Sequence, residues 1–210
     1  MEDGTVLTIA MSETKKNNYH IVGYLKEHGD FVSFNTDKYF FDNKPLLDIG
    51  AYSKVKFIDK GSNEIELGND ITLVESLEKY KLIEFLEEKK SSFARFKRVI
   101  NTKFAIVEVK YIEEIKVICK DNGINTYLVA IINGQKAEIK VKDFRWVNYW
   151  TKIFDKFNKS ELEEKIAHYK DFFNTKKTYL LLYRYKNETS DNGRYRQIND
   201  VYWISGIFYA

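Results

Sequence analysis

Apolar and polar residues alternate with a period of two, in short runs, over the first 70 residues. "TVLTIAM", "YHIVGYLK", "DFVSF", "SKVKFID" and "NEIELG" each place β-branched or aromatic residues at every second position, the signature of half-buried strands. The connectors "SETKKNN", "KEHGD" and "DKGSN" are rich in the residues that turns require. Five strands within about 65 residues is the content of a small barrel of the OB type. "KYFFDNKPLLDIGAY" interrupts the series and reads as an irregular loop or a single helical turn around Pro45.

From Leu73 the period lengthens. Leu77, Leu82, Phe85 and Leu86 fall on one face of "VESLEKYKLIEFLEEKK", with Glu and Lys opposite, which predicts an amphipathic helix. Strand-like runs then resume with "FAIVEVKYI", "IEEIKVICK" and "NTYLVAIINGQKAEIKVKD". In the last of these, Asn133-Gly134 between two alternating halves predicts a type I′ hairpin. Two helices follow. In "DFRWVNYWTKIFDKF", Asp143 stands at the N-cap position, Trp146, Trp150 and Phe154 recur every four residues, and Val147 can join that face. This spacing assigns the aromatic run to a core rather than to base stacking, and leaves Arg145 for a carboxylate or the surface. In "KSELEEKIAHYKDFFNT", Ser160 and Glu163 fit a capping box, and Leu162, Ile166, Tyr169 and Phe173 make the apolar stripe. "TYLLLYRYK" and "DVYWISGIFYA" close the chain as strands. The pattern therefore predicts a β-rich α+β protein of two OB-like barrels. The first spans residues 1–75, a helical connector 76–92, and the second 93–210 with a helical insertion near 143–174.

Composition sharpens this reading in two places. The single cysteine, Cys119, excludes an internal disulfide and an all-cysteine metal cage. With no apolar run near 20 residues and an acidic opening, "MEDGTVLTIA", a cytoplasmic protein without a membrane partner is expected. The net charge of +3 conceals an imbalance: residues 1–75 carry 8 Lys/Arg against 13 Asp/Glu, and residues 76–210 carry 26 against 18. The second part is the one suited to a polyanion.

Several segments resemble the dual OB-containing domain family of prokaryotic conflict-system genes. "TIAMSETKKNNYHIVGYL" fits its opening strand, Ser-containing turn and strand ending in Gly, through Ser12 and Gly23. "GDFVSF", Gly29 to Phe34, stands where the family has a Gly-Glu-Trp-Ile-Arg-Pro-like strand, with Ser33-Phe34 in place of Arg-Pro. "VKDFRW", Val141 to Trp146, matches its Val-Thr-Asp-x-Arg-Trp-like segment before a helix. The resemblance covers nearly the whole chain. It implies two OB-like barrels and nucleic-acid binding or sensing in a defence or counter-defence system, and it implies no chemistry.

The residues themselves agree that chemistry is not signalled. Cys119 lies in strand-like "EIKVICK", where a buried, inert thiol is expected. His20, His28 and His168 are dispersed, no Cys or His pair has zinc spacing, and no phosphate loop or nucleophile elbow is present. No enzyme activity, cofactor or metal is expected. Binding is better represented. "KKSSFARFKR" holds Lys89, Lys90, Arg95, Lys97 and Arg98 with Phe93 and Phe96 between them. Cations neutralise phosphates and aromatic faces stack bases, so a single-stranded nucleic acid is the expected partner. In an extended chain, Phe93 and Arg95 share one face and Phe96 and Arg98 the other; a strand with a buried aromatic side and a solvated basic side explains the same residues. From Lys89 through Lys110, seven Lys/Arg stand against one acid, Glu108. "NGRYRQIN" adds Arg194 and Arg196 in a polar loop of the kind found at an OB-fold mouth, and Lys15 and Lys16 sit in a third loop. The alternative is a protein-interaction module, a subunit or inhibitor that docks on a defence complex.

Overall fold

A computed structural model describes residues 1–15, 18–37, 40–41, 44–99, 102–120, 123–154, 156–187 and 199–210. The chain forms two compact units, Met1–Glu88 with Lys142–Phe144, and Lys89–Val141 with Arg145–Ala210.

In the first unit the period-two runs become β1 (Glu2–Lys15), β2 (Asn18–Leu25), β3 (Asp30–Thr36), β6 (Ala51–Gly61) and β7 (Glu64–Ser76). A minimal hairpin, β4 (Phe40–Phe41) and β5 (Lys44–Pro45), lies between β3 and β6, where a loop or helical turn was expected. The five long strands close in the order β1-β2-β3-β7-β6, with β6 returning to β1. Every step is antiparallel except β3 to β7, which meet in parallel at Ser33 and Glu64. This is the strand order of an OB barrel. Val6, Met11, Ile21, Leu25, Phe34 and Phe57 fill the interior.

Closure makes two local demands. First, β1 must pair with β6 through Glu2–Leu7 and with β2 through Val6–Lys15, and the register slips between Thr8 and Ala10. Gly23 lies opposite Thr8 at that slip. A Cβ there would overlap the Val6 side chain and sit 3.1 Å from the Leu7 carbonyl oxygen, so a larger residue forces Val6 and the strand to shift. Second, the β6–β7 turn must reach β3. Asn63, with φ of 61°, donates its amide to the Asp30 carboxylate at 2.9 Å and the Phe31 carbonyl at 2.8 Å, and its own carbonyl accepts from Ser33 N–H at 2.8 Å.

The helix expected from Leu73 begins later, as α1 (Lys79–Glu88). Leu73, Glu75 and Ser76 continue β7 instead, because Ser53, Tyr52 and Ala51 of β6 offer them ladder partners. On α1, Leu82 and Leu86 are buried, and Phe85 meets Tyr24 and Phe31 edge-on at 5.1 and 6.4 Å.

The second unit contains α2 (Phe93–Arg98), β8 (Phe104–Lys120), β9 (Gly123–Ile132), β10 (Gln135–Val141), most of α3 (Phe144–Phe154), α4 (Lys159–Asn174), β11 (Thr178–Asn187) and β12 (Asn199–Tyr209). Its barrel order, β8-β9-β10-β12-β11, repeats that of the first unit, with the parallel step now between Val141 and Ile204. The helices α3 and α4 are inserted between the third and fourth strands. Asn133 and Gly134 both take positive φ, 50° and 76°, as a type I′ turn requires.

The runs read as two strands, "FAIVEVKYI" and "IEEIKVICK", are one. Strand β8 pairs with β11 through Phe104–Val109 and with β9 through Val109–Lys120, slipping at Val109/Tyr111 and Ile112/Glu114. At Ile112, between the slips, the last residue of α4 intervenes. Asn174 Oδ1 accepts from Ile112 N–H at 2.7 Å and Nδ2 donates to the Ile112 carbonyl at 2.9 Å.

Trp146, Trp150 and Ile153 form the buried face of α3, and the Trp146 indole donates to Thr126 Oγ1 at 3.1 Å. Arg145 donates to the Ile207 carbonyl at 3.3 Å and lies over the Phe208 ring. The α4 stripe packs as its spacing predicts, but its capping box is Asn158 with Glu161, two residues before Ser160 and Glu163. The same Asx/Ser-x-x-Glu spacing occurs twice in succession, and the earlier copy starts the helix. Among the described residues no helix is long and apolar enough to cross a membrane.

Two substitutions test these closures by urea unfolding. Gly23→Ala should lower stability by about 1–3 kcal/mol through the steric overlap. Asn174→Ala should cost about 1–3 kcal/mol by leaving both Ile112 groups without their partner.

Candidate nucleic-acid interface

Counted by unit, the charge imbalance widens. The first unit holds 11 Lys/Arg against 18 Asp/Glu, a net −7; the second holds 23 against 13, a net +10. Any phosphate-rich partner is therefore drawn to the second unit.

Within it, the basic segment is a helix rather than a strand. In α2, Phe93 and Phe96 are three residues apart, so both fall on one side, where they are 0% and 1% exposed. They meet the Tyr202 ring edge-on at 6.0 and 5.7 Å. The expected alternation of aromatic and basic faces does not occur, and neither ring is available to a base. Arg95, Lys97 and Arg98 remain exposed. No carboxylate among the described residues pairs with them. At about 100° per residue, Arg95 and Arg98 lie roughly 60° apart on the side opposite the phenylalanines. Lys97 falls at the border, and its ammonium folds back to 5.5 Å from the Phe93 ring centroid.

A six-residue helix does not persist alone. Beyond the two phenylalanines, a residue that sequence reasoning passed over holds it. Arg184 of β11 is 3% exposed. Its guanidinium donates to the Val99 carbonyl at 2.6 Å and to the Phe96 carbonyl, and stacks on the Phe96 ring at 4.5 Å. These carbonyls belong to the negative end of α2, so a buried cation there meets both the hydrogen-bonding deficit and the dipole. Burial pushes the hydroxyl pKa of neighbouring Tyr202 up, against the opposing pull of Arg184. The signal in "TYLLLYRYK" is phase: Arg184 shares the parity of Leu180 and Leu182, both in the core.

The other candidates divide. Lys89 is half-buried in the turn after α1. Lys90 bridges to Ile106 and pairs with Glu108 at 3.1 Å, so the one acid of the basic stretch offsets one of its cations. Arg194 and Arg196 lie outside the described residues, as does Lys16. The strands that lead to Arg194 and Arg196 are described: Asn187 pairs with Asn199, and three residues earlier Arg184 pairs with Tyr202, against which α2 packs. The connection between fourth and fifth strands is thus a tight turn through Ser62 and Asn63 in the acidic unit, and an 11-residue segment with two arginines in the basic one.

On strands β8 and β10 of the second barrel, two lysines are matched by carboxylates. Lys116 lies 2.6 Å from Glu138 and 3.8 Å from Glu114, and Lys136 pairs with Glu113. The hydrogen bond from Lys116 to Glu138 raises the Lys116 pKa. Cys119, expected inside, is exposed, because the end of β8 runs beyond the core to its turn.

No family model matches the chain, and no curated protein sequence matches it. A solved structure described as "Structure of murine DNA binding protein bound with ds DNA" aligns over 100% of this chain and 97% of that chain, at 12% identity and a TM-score of 0.40. That likeness is too slight to transfer a function.

The buried and exposed cations should respond oppositely to substitution. Arg184→Met should destabilise the second unit by about 1–3 kcal/mol, because the α2 carbonyls lose their donors. Arg184→Lys should not restore it, since one ammonium does not reproduce the guanidinium fork. The triple variant Arg95→Gln, Lys97→Gln, Arg98→Gln should unfold within about 0.5 kcal/mol of the parent.

Proposed function

We propose that the chain is a non-catalytic nucleic-acid-binding or sensing module, with its binding surface on the basic unit. The observation that carries this reading is the display of Arg95, Lys97 and Arg98 on α2. They are exposed and without a pairing carboxylate among the described residues, and the helix that bears them is fixed to β11 and β12 near the start of the long connection. OB barrels engage oligonucleotides through their loops, the fourth-to-fifth-strand connection among them. Arg194 and Arg196 supply a second contact. The acidic unit, with its tight turn at that connection, takes no direct part. The resemblance in "GDFVSF" and "VKDFRW" further supports membership of a prokaryotic or phage conflict system, and a cytoplasmic site of action follows from that setting.

Fluorescence anisotropy with labelled single- and double-stranded DNA and RNA across a salt series tests the proposal. Neutralising about four phosphates gives a log–log slope near −3 to −4. The Arg95, Lys97, Arg98→Gln triple variant should flatten that slope by up to about three units while remaining folded. Absence of salt-sensitive binding, together with a discrete protein recovered in a pull-down, would hand the lead to a docking subunit of a defence complex.

A further inference from the structure

We infer that the acidic unit carries a docking edge of its own. The open side of β7, from Asp70 to Ser76, accepts as an added strand an extended peptide that alternates apolar residues with lysine or arginine. This surface is separate from α2 and does not rest on nucleic-acid binding.

The edge follows from the topology. Strand β7 meets β3 only where Ser33 stands opposite Glu64, and its later half pairs with β6 alone. Among the described residues no strand flanks the other side of Asp70–Ser76, and no backbone hydrogen bond from a loop reaches it. Exposure agrees, because every residue from Thr72 to Ser76 is exposed. Leu73 pairs with buried Ser53 and Ile71 with Val55 of the core, so both lie on the interior side of the ladder. Leu73 is nevertheless 41% exposed, and Val74, the extra residue at the next register slip, is 50% exposed. An uncovered edge with apolar side chains is a template for another strand.

The charges choose the occupant. Thr72 lies opposite Lys54, Glu75 lies opposite Tyr52, and Asp70 pairs with Lys56 at 3.4 Å, so Asp70, Thr72 and Glu75 form the outward row. Glu75 is exposed and meets no cation among the described residues. Lys54 and Lys56 stand one strand further in, so a strand added to β7 meets its acids first. A second copy of β7 would set acid against acid across the new ladder, in a unit that already carries a net −7. A basic row suits the outward side, and apolar residues suit the side of Ile71 and Leu73.

The probe is a labelled, end-blocked peptide, Lys-Val-Lys-Val-Lys-Val-Lys, titrated against the full chain by fluorescence anisotropy. Amide hydrogen exchange of the chain is followed with and without it. Saturable binding is expected, with protection gained across Asp70–Ser76. Successive N–H groups of an extended strand point to opposite sides. Of two N-methylated versions, one at the valines and one at the inner lysines, one should therefore bind at least about tenfold more weakly and the other within about threefold. A version with Glu for Lys should not bind, and Asp70→Asn/Glu75→Gln in the chain should weaken the original peptide about three- to tenfold at low salt. Equal binding by both methylated versions would reduce the effect to charge attraction and overturn strand addition. Absence of binding, or protection confined to other segments, would overturn it too. Self-association of the chain alone, with the same residues protected, would overturn the choice of occupant. None of these outcomes bears on oligonucleotide binding at α2, which is measured separately.

Discussion

Each unit depends on one long strand whose two halves pair with different neighbours. A barrel of only five strands turns sharply, and its first strand must bend to leave one neighbour and take up another. In both barrels that strand is the longest, 14 residues in β1 and 17 in β8, and both carry register slips where the change of partner occurs. The solutions to the bend differ. The acidic unit uses an absent side chain, at Gly23, so that β2 can close on β1. The basic unit uses a present one, at Asn174, whose amide takes both backbone groups of Ile112. The insertion of α3 and α4 is what brings Asn174 there, so in the second barrel the helices are part of the closure.

The display of cations rests on a cation that is hidden. Arg184 and Arg95 are chemically identical, and their surroundings give them opposite roles. One is dry, fixed by two carbonyls and a ring; the other faces water with no pairing carboxylate described. This division is consistent with the energetics of charge: a buried guanidinium persists only where acceptors surround it, whereas solvated ones contribute little to folding and are free to serve a ligand.

Much of the architecture was legible in the chain. Period-two runs, the Asn133-Gly134 turn and the α4 stripe are local patterns, and local patterns survive assembly. The misreadings share a cause. Leu73 to Ser76 look helical by composition, but β6 supplies ladder partners that lie some twenty residues away in sequence. Phe93 to Arg98 is too short for its periodicity to separate helix from strand, and only Arg184 and Tyr202, far later in the chain, decide it. The capping residues of α4 are ambiguous because Asn158-x-x-Glu161 and Ser160-x-x-Glu163 overlap. For the candidate site, the residue types were legible and their directions were not. Which cations face solvent follows from which rings are buried, a tertiary fact. Arg184 carried a usable sign, its parity with Leu180 and Leu182, visible only once that strand is known to present that side inward.

The outward placement of Cys119 has a practical side. The chain has a single sulfhydryl, and it stands exposed at the end of β8, paired across the ladder with Ile124 beside the β8–β9 connection. A thiol-reactive dye or spin label therefore attaches at one defined position on the basic unit, with no cysteine to remove elsewhere and none to introduce. The molecule comes equipped with its own reporter site, outside the core cluster and separate in sequence from α2.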